Sequence, residues 1–413
     1  MSITMMSNIV YVVSITLSER IVDNSMFNFV FDRCEQGRPV ANLTNGSASD
    51  TVYPYITPLR LLYYVRDHDY PTQIFHIDQE LPQNCFYPVG LGFFDFSIDY
   101  FSLMSRRVLD LCKQGRLKIL FYYHEGDNPY HEKQRLDSLC ALHDLPLDCY
   151  RFISGNTEAN KIENFVYFPD HELFYWQMSV RKNQQYLTGC KPHRHARQYD
   201  FTLLSRVHKW WRATIVSYLL QQNLLSRSLW SYNTISIGDR LEDNPIEVHK
   251  FPELDLEKFL ANAPYACDSL SATDHNNHHT YVPEHYENSY MNLVMETLYD
   301  ADQSGGAFIT EKTFKPIRHG QPFVIFGASG SIKLLKDLGY RTFDHAIDNS
   351  YDQESNNTQR FIRTVNLLRQ LKDQGLDYIS QQCFDDVVYN QEYFEQSKYH
   401  RLQDLHQKLI VSI

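Results

Sequence analysis

The stretch Thr310-Glu311-Lys312-Thr313-Phe314-Lys315-Pro316-Ile317-Arg318 holds the residue types of this 413-residue chain best suited to chemistry. Thr310 is a good N-cap, because its side-chain oxygen can accept from a backbone N–H of the first turn. Glu311 favours that first turn, where a carboxylate meets the positive end of the helix dipole. Gly320 ends the pattern about three turns on. The start of such a helix offers unsatisfied N–H groups and partial positive charge, a ready place for an anion. Lys312, Lys315 and Arg318 add three cations against one acid, in a chain whose formal net charge is -11. The chemistry this allows is the holding of phosphate and the stabilising of a phosphate leaving group. The plainer reading is an amphipathic surface helix with solvated lysines.

Glu125 and His124 form the other pair of interest. They open the turn His124-Glu125-Gly126-Asp127-Asn128-Pro129, after the near-continuous apolar run Leu117–Tyr123. A carboxylate or imidazole beyond a strand end can take a proton from a hydroxyl nucleophile. Glu125 could equally cap the helix that follows. Tyr232 and Asn233, at the end of another strand-like run, could contact a nucleoside or be structural. Trp211 reads as core, and Trp210 could stack a base or a sugar.

Other motifs fall short. Gly306–Thr313 is one residue short of a phosphate-binding loop, and Glu311 stands where the second glycine belongs. A carboxylate in that cradle repels phosphate. Asp67-His68-Asp69 has the Asp-x-Asp form that can hold a divalent ion, but it follows a helical run and precedes Tyr70-Pro71, the setting of a solvated turn. His275, His278, His279 and His285 include three in a polar loop with no cysteine partner, whereas zinc sites want tighter, supported spacing. The expectation is therefore no metal and no cofactor. No G-x-G-x-x-G follows a strand, which disfavours a dinucleotide dehydrogenase.

The elements that must position these residues alternate between strand and helix. Strand patterns lie at Ile9–Val13, Ile74–Ile77, Leu117–Tyr123, Cys149–Ile153, Tyr199–Leu204, Ser228–Tyr232, Met291–Met295 and Pro322–Phe326. Helical spacing marks Tyr100–Cys112, about 130–143, Lys209–Leu225, the stretch opening at Thr310, about 331–337, 356–373 and 390–411. Continuous apolar strands between helices predict parallel sheets covered on both faces. The expected architecture is α/β, with two doubly wound, Rossmann-like domains facing a cleft. An acceptor-side domain spans 1–195 and a nucleotide-sugar-binding domain 196–385. The segment 386–413 is expected to form a last helix that packs back on the first domain.

Composition sets the outer limits. Hydrophobic residues make up 43% and charged residues 22%, which excludes a disordered or fibrous chain. An excess of acid over base disfavours bulk nucleic-acid binding, leaving nucleic acid only as an acceptor. No run is long and apolar enough for a membrane span. Eight scattered cysteines without a CxxC pair suit free thiols in a reducing compartment, so a cytoplasmic location is expected.

Phe308-Ile309-Thr310-Glu311-Lys312, before a short helix, the strand Pro322–Phe326 and Gly327, resembles the signature of the α-1,3/1,4-fucosyltransferases of glycosyltransferase family 10. Leu293–Thr297, with Glu296, occupies the place of an upstream acidic element of that family. Leu203-Leu204-Ser205-Arg206, followed by Arg212, occupies that of a strand end and a helix-opening arginine. The likeness covers roughly 200–345. Thr310–Ile317 is also similar to glycosyltransferase-like proteins of large tailed bacteriophages, which would place the chain in a host cytoplasm. The resemblance implies a GT-B fold and a nucleoside-diphosphate sugar as donor substrate. It implies Lys312 and Arg212 on the diphosphate, joined by Lys315 and Arg206, with Glu311 and Glu296 on ribose or sugar hydroxyls. The expected activity is transfer to a hydroxyl, on a glycan or a hydroxymethylated DNA base, inverting and metal-independent, with Glu125 as the base. The alternative is a nucleotide-sugar or glycan-binding protein on the same scaffold, without catalysis.

Overall fold

The structure is a computed structural model that describes residues 26–32, 34–35, 38–39, 60–92, 94–182, 189–236, 240–266, 281–301 and 305–411. The strand expected at Ile9–Val13 and the histidines 275, 278 and 279 lie outside the described residues.

The first half contains β1 (Phe27–Phe31), the short β2 (Cys34–Glu35) and β3 (Arg38–Pro39), α1 (Arg60–Asp67), β4 (Thr72–His76) and β5 (Cys85–Leu91). It continues with α2 (Arg106–Lys113), β6 (Lys118–Tyr123), α3 (Pro129–Leu142), β7 (Tyr150–Ser154), β8 (Phe165–Tyr167) and α4 (Asp170–Lys182). Six strands form one sheet in the order β4-β1-β5-β6-β7-β8, and every neighbouring pair is parallel. All of β5 and nearly all of β6 is buried, which is why both are apolar almost throughout.

The second half contains β9 (Tyr199–His208), α5 (Trp210–Gln221), β10 (Leu229–Ser236), α6 (Leu256–Ala261), α7 (Pro283–Glu287), β11 (Ser289–Met295) and α8 (Glu311–Arg318). Then come β12 (Phe323–Phe326), α9 (Ser331–Asp337), α10 (Asn357–Gln374), α11 (Leu376–Gln382), α12 (Phe384–Gln396) and α13 (Lys398–Val411). Its four-stranded sheet runs β10-β9-β11-β12, again all parallel. This mixed α/β arrangement with two parallel sheets is compatible with two Rossmann-like domains. Strand order reverses between β1 and β5 in one sheet, and between β9 and β11 in the other. Beyond the carboxyl ends at such reversals lie the usual ligand crevices of open parallel sheets.

Two local expectations need correction. The helix read over Tyr100–Cys112 starts only at Arg106, because Ser105 caps it by accepting from Val108 N at 3.4 Å. Phe101, Met104, Val108 and Leu111 still share one core, which explains their helical spacing. The helical run over 390–411 is two helices meeting at Ser397. In α13, Leu402, Leu405 and Leu409 pack with Phe27, Phe29 and Phe31 of β1, and His406 Nδ1 lies 3.1 Å from Tyr70 Oη. The last helix therefore lies on the first sheet.

The halves meet carboxyl end to carboxyl end. Phe308, which precedes α8, packs its ring against Gly126 and Gly155, the residues beyond β6 and β7. A Cβ on Gly155 would stand 2.8 Å from that ring, so only glycine leaves room for it. Alongside, Tyr175 of α4 reaches His319 at the end of α8, with Oη to Nε2 at 2.6 Å. No helix among the described residues is long and apolar enough to cross a membrane.

Candidate functional site

The site is built on the end of β11. This strand is buried along its whole length and carries Glu296, with 0% exposure, just beyond its carboxyl end. Glu296 Oε1 accepts from Thr310 N at 3.1 Å and Thr313 Oγ1 at 2.6 Å. Its Oε2 accepts from Thr310 Oγ1 at 2.7 Å and Thr297 N at 3.1 Å. Thr310 caps α8 as its sequence suggests, accepting from Lys312 N at 3.5 Å. The expectation of an open anion site at this helix start is corrected, because the Glu296 carboxylate is already there. Its partners there are the N–H and hydroxyl of the cap residue Thr310 and the hydroxyl of Thr313, and its charge lies at the positive end of the helix.

Three cations converge on the Glu296–Thr297 segment. Arg212 Nη2 donates to the Glu296 carbonyl at 2.6 Å and Nη1 to the Val207 carbonyl at 3.1 Å. Lys209 Nζ donates to the Thr297 carbonyl at 3.0 Å. Lys312 Nζ donates to Thr297 Oγ1 at 3.0 Å, Thr310 Oγ1 at 3.2 Å and Glu311 Oε1 at 3.0 Å. Arg212 is buried, at 3% exposure, while the Lys312 side chain is one-third exposed, at 33%. Lys209 went unnoticed in the sequence, although its place directly after β9 was a usable signal.

The other candidates spread outward. Lys315 is half-buried one turn further along α8, and Arg206 is half-buried on β9. Arg318 is buried at the far end of α8, with Nε 3.3 Å from Glu395 Oε1. Tyr232 is not at a surface. Its hydroxyl meets His208 Nδ1 at 2.6 Å, and its ring lies edge-on to Phe259 in the core of the second half. Trp211 is core, stacked on Tyr299 at 5.0 Å. Asp67-His68-Asp69 closes α1, where Asp67 accepts from Gln177 Nε2 at 2.6 Å and His68 packs on Trp176. That turn is partly covered by α4 rather than simply solvated.

The first sheet supplies the opposing wall. Glu125 follows β6 and is half-buried, with Oε1 3.2 Å from His124 Nε2. The same nitrogen lies 3.0 Å from Arg60 Nη2. Burial raises the Glu125 carboxyl, but His124, His171 and Arg60 outweigh it and hold it below its ordinary value. Arg60 Nη1 also reaches Asp170 Oδ2 at 2.8 Å, while Tyr64 and Tyr122 both donate to Asp170 Oδ1.

His171, next on α4, was missed in the sequence because a lone histidine in a helix carries no motif. It is 8% exposed, its ring lies edge-on to Phe308 at 5.3 Å, and His124 is 6.1 Å away. Its Nδ1 is 3.3 Å from Glu311 Oε2 across the interface, off hydrogen-bond geometry. Glu311 thus faces Lys312 with one oxygen and His171 with the other. Burial pushes the Glu311 carboxyl up, and Lys312 and His171 override it, holding it well below the usual carboxylate range. Burial pushes His171 down, and Glu311, Glu125 and Asp170 override it, so the ring is raised above its ordinary value.

Cations gather at the strand ends of the second sheet and proton acceptors at those of the first, with Phe308 and Glu311 packed between them. Among the described residues, no group of three or more His, Cys, Asp or Glu is arranged to hold a metal ion. No protein-family model matches the chain, and no curated protein matches it.

Proposed function

We propose that the protein is a glycosyltransferase of GT-B type that moves a sugar from a nucleoside-diphosphate donor to a hydroxyl acceptor. One observation carries the reading. Lys209, Arg212 and Lys312 converge on the residues just beyond β11, at the strand-order reversal of the second sheet. Carbonyl oxygens accept from Lys209 and Arg212 and hydroxyl oxygens from Lys312, and a diphosphate is a stronger acceptor for the same N–H groups. Lys312, the more exposed of Lys312 and Arg212, leads the contact, with Lys315 one turn behind it.

In the transfer, the acceptor oxygen bonds to the anomeric carbon, and the bond from that carbon to the diphosphate oxygen breaks. The electron pair leaves with the nucleoside diphosphate, and the cations stabilise its charge. The acceptor proton passes to a group on the first sheet's wall, where Glu125, His124 and His171 lie. Attack from that wall opposite the departing diphosphate gives inversion. The acceptor is a hydroxyl of a glycan or of a modified base.

Melting curves with GDP, UDP, CDP and ADP test the donor, since a ligand at 100 times its Kd adds about 2.7 kcal/mol of stability. Lys312→Ala is expected to abolish that shift and to cut donor turnover by about 100-fold or more. A nucleotide shift that survives Lys312→Ala would sink the assignment. Donor binding without transfer or hydrolysis would turn the reading into a binding protein on this scaffold.

A further inference from the structure

Asp170 and Glu172 flank His171 at the start of α4, and each accepts several hydrogen bonds. His171 is more than nine-tenths buried between them, yet neither ring nitrogen makes a hydrogen bond among the described residues. A buried polar group left without a partner costs about 1–3 kcal/mol. Nδ1 keeps only the ion pair to Glu311 at 3.3 Å and Nε2 makes no hydrogen bond among the described residues, so the ring has bonding capacity left over.

We infer that His171 and Glu311 form a proton-accepting dyad across the domain interface, in which His171 Nε2 takes the proton of the acceptor hydroxyl. This rests on the glycosyl-transfer reading. The geometry names the parts. Nδ1 lies 3.3 Å from Glu311 Oε2, so a small ring rotation gives an Nδ1–H···carboxylate bond. That bond fixes the tautomer with Nε2 bare, and a bare imidazole nitrogen is a base. Glu311 is a positioning residue, and Lys312 fixes its other oxygen at 3.0 Å. The proton moves from the acceptor oxygen to Nε2 as the new bond to the anomeric carbon forms. The charge that departs with the diphosphate faces Lys312 on the opposite wall. Nothing is oxidised or reduced.

The groups facing the ring are Glu311 and Lys312 from α8, Glu125 and His124 after β6, Asp170 on its own helix, and Arg60 of α1 beside Asp170 and His124. Acids nearest the ring favour its protonated form, which suits a proton acceptor working near neutrality. Glu125 sits in the opposite field and is the weaker base.

The test uses the full chain labelled with ¹⁵N-histidine, titrated between about pH 5 and 8 where imidazoles change charge. His171→Gln identifies the signal, and its melting curve checks that it folds. The wild type is expected to show the Nδ1–H tautomer and a midpoint above that of an ordinary histidine. Glu311→Gln is expected to lower the midpoint and lose the tautomer. The acid limb of kcat/KM should track the His171 midpoint and move with it in Glu311→Gln, while His171→Gln lowers kcat by about 100-fold or more. A midpoint indifferent to Glu311→Gln overturns the dyad without any substrate. So does an acid limb in the carboxylate range that Glu125→Gln removes. If none of GDP, UDP, CDP and ADP raises the melting temperature, the transfer reading fails, while the spectra still decide whether the dyad exists.

Discussion

Glu172 of α4 and Glu311, which faces α4 from α8, are both buried glutamates, and they are served in opposite ways. Glu172 has 0% exposure and a full set of partners. Its Oε1 accepts from Tyr340 at 2.7 Å and Ser397 at 2.5 Å, its Oε2 accepts from Arg401 Nε at 2.8 Å, and Lys398 lies 3.3 Å away. Those partners come from beyond β12 and from α13, so this knot ties the first half to the end of the chain. Glu311 instead faces a lysine that is one-third exposed and an imidazole held off hydrogen-bond geometry. A saturated carboxylate is what a structural junction requires. One with a loosely bound neighbour leaves protonation free to change.

Glu172→Ala should have the largest effect. It leaves Arg401 and Lys398 facing an empty centre, and unfolding by urea should show a loss of about 3–5 kcal/mol. Burial works against the Glu172 charge, but Arg401 and Lys398 hold its carboxyl down from 4.5 to about 2. Lys398, by contrast, is pushed down by burial to about 8, so Arg401 is the stronger partner of the two. A depressed carboxyl stabilises the fold above its unfolded value and stops doing so as pH falls through the folded one. The acid loss of stability between pH 4.5 and 2 should therefore flatten in Glu172→Ala. An unchanged acid limb would erase the contrast.

Glu296→Gln comes next. It keeps the shape but trades acceptors for an amide that cannot serve four donors. A loss of about 1–3 kcal/mol and faster amide exchange at the start of α8 are expected. Exchange that stays slow there would mean that Glu296 does not tether the helix.

His171 should give a smaller effect of opposite sign. Its raised folded value means that the Glu311 contact stabilises below the ordinary 6.5 and is lost as pH rises through the folded midpoint. Melting temperatures should fall on the alkaline side in the wild type and less so in His171→Gln. Lys333→Ala marks the floor of the scale. Its i,i+4 pair with Asp337 is mostly exposed, and its loss should cost at most about 0.5 kcal/mol.

Much of this molecule was readable in the chain. The run Leu117–Tyr123 appears as β6, and Thr310 caps α8, because buried parallel strands are apolar on both faces and a threonine oxygen suits a helix start. Only the family resemblance put the acid Glu296 near Lys312, and local pattern did not. It could not show that Glu296 fills the anion position at α8, because that pairing spans two strand ends. It placed Tyr232 near a ligand, whereas His208 and Phe259 enclose it. It passed over His171, whose surroundings come from α8 and the turn after β6.

Periodicity and capping act within a few residues, so the sequence by itself indicated seven of the strands in the two sheets and the parallel α/β alternation, but not β1, β5, β8 or α4. Only the tertiary structure decided which carboxylates are spent on protein donors and which histidine, among the described residues, makes no hydrogen bond through either ring nitrogen. Burial and hydrogen-bond partnership are properties of segments far apart in the chain, brought together when the two sheets closed on Phe308.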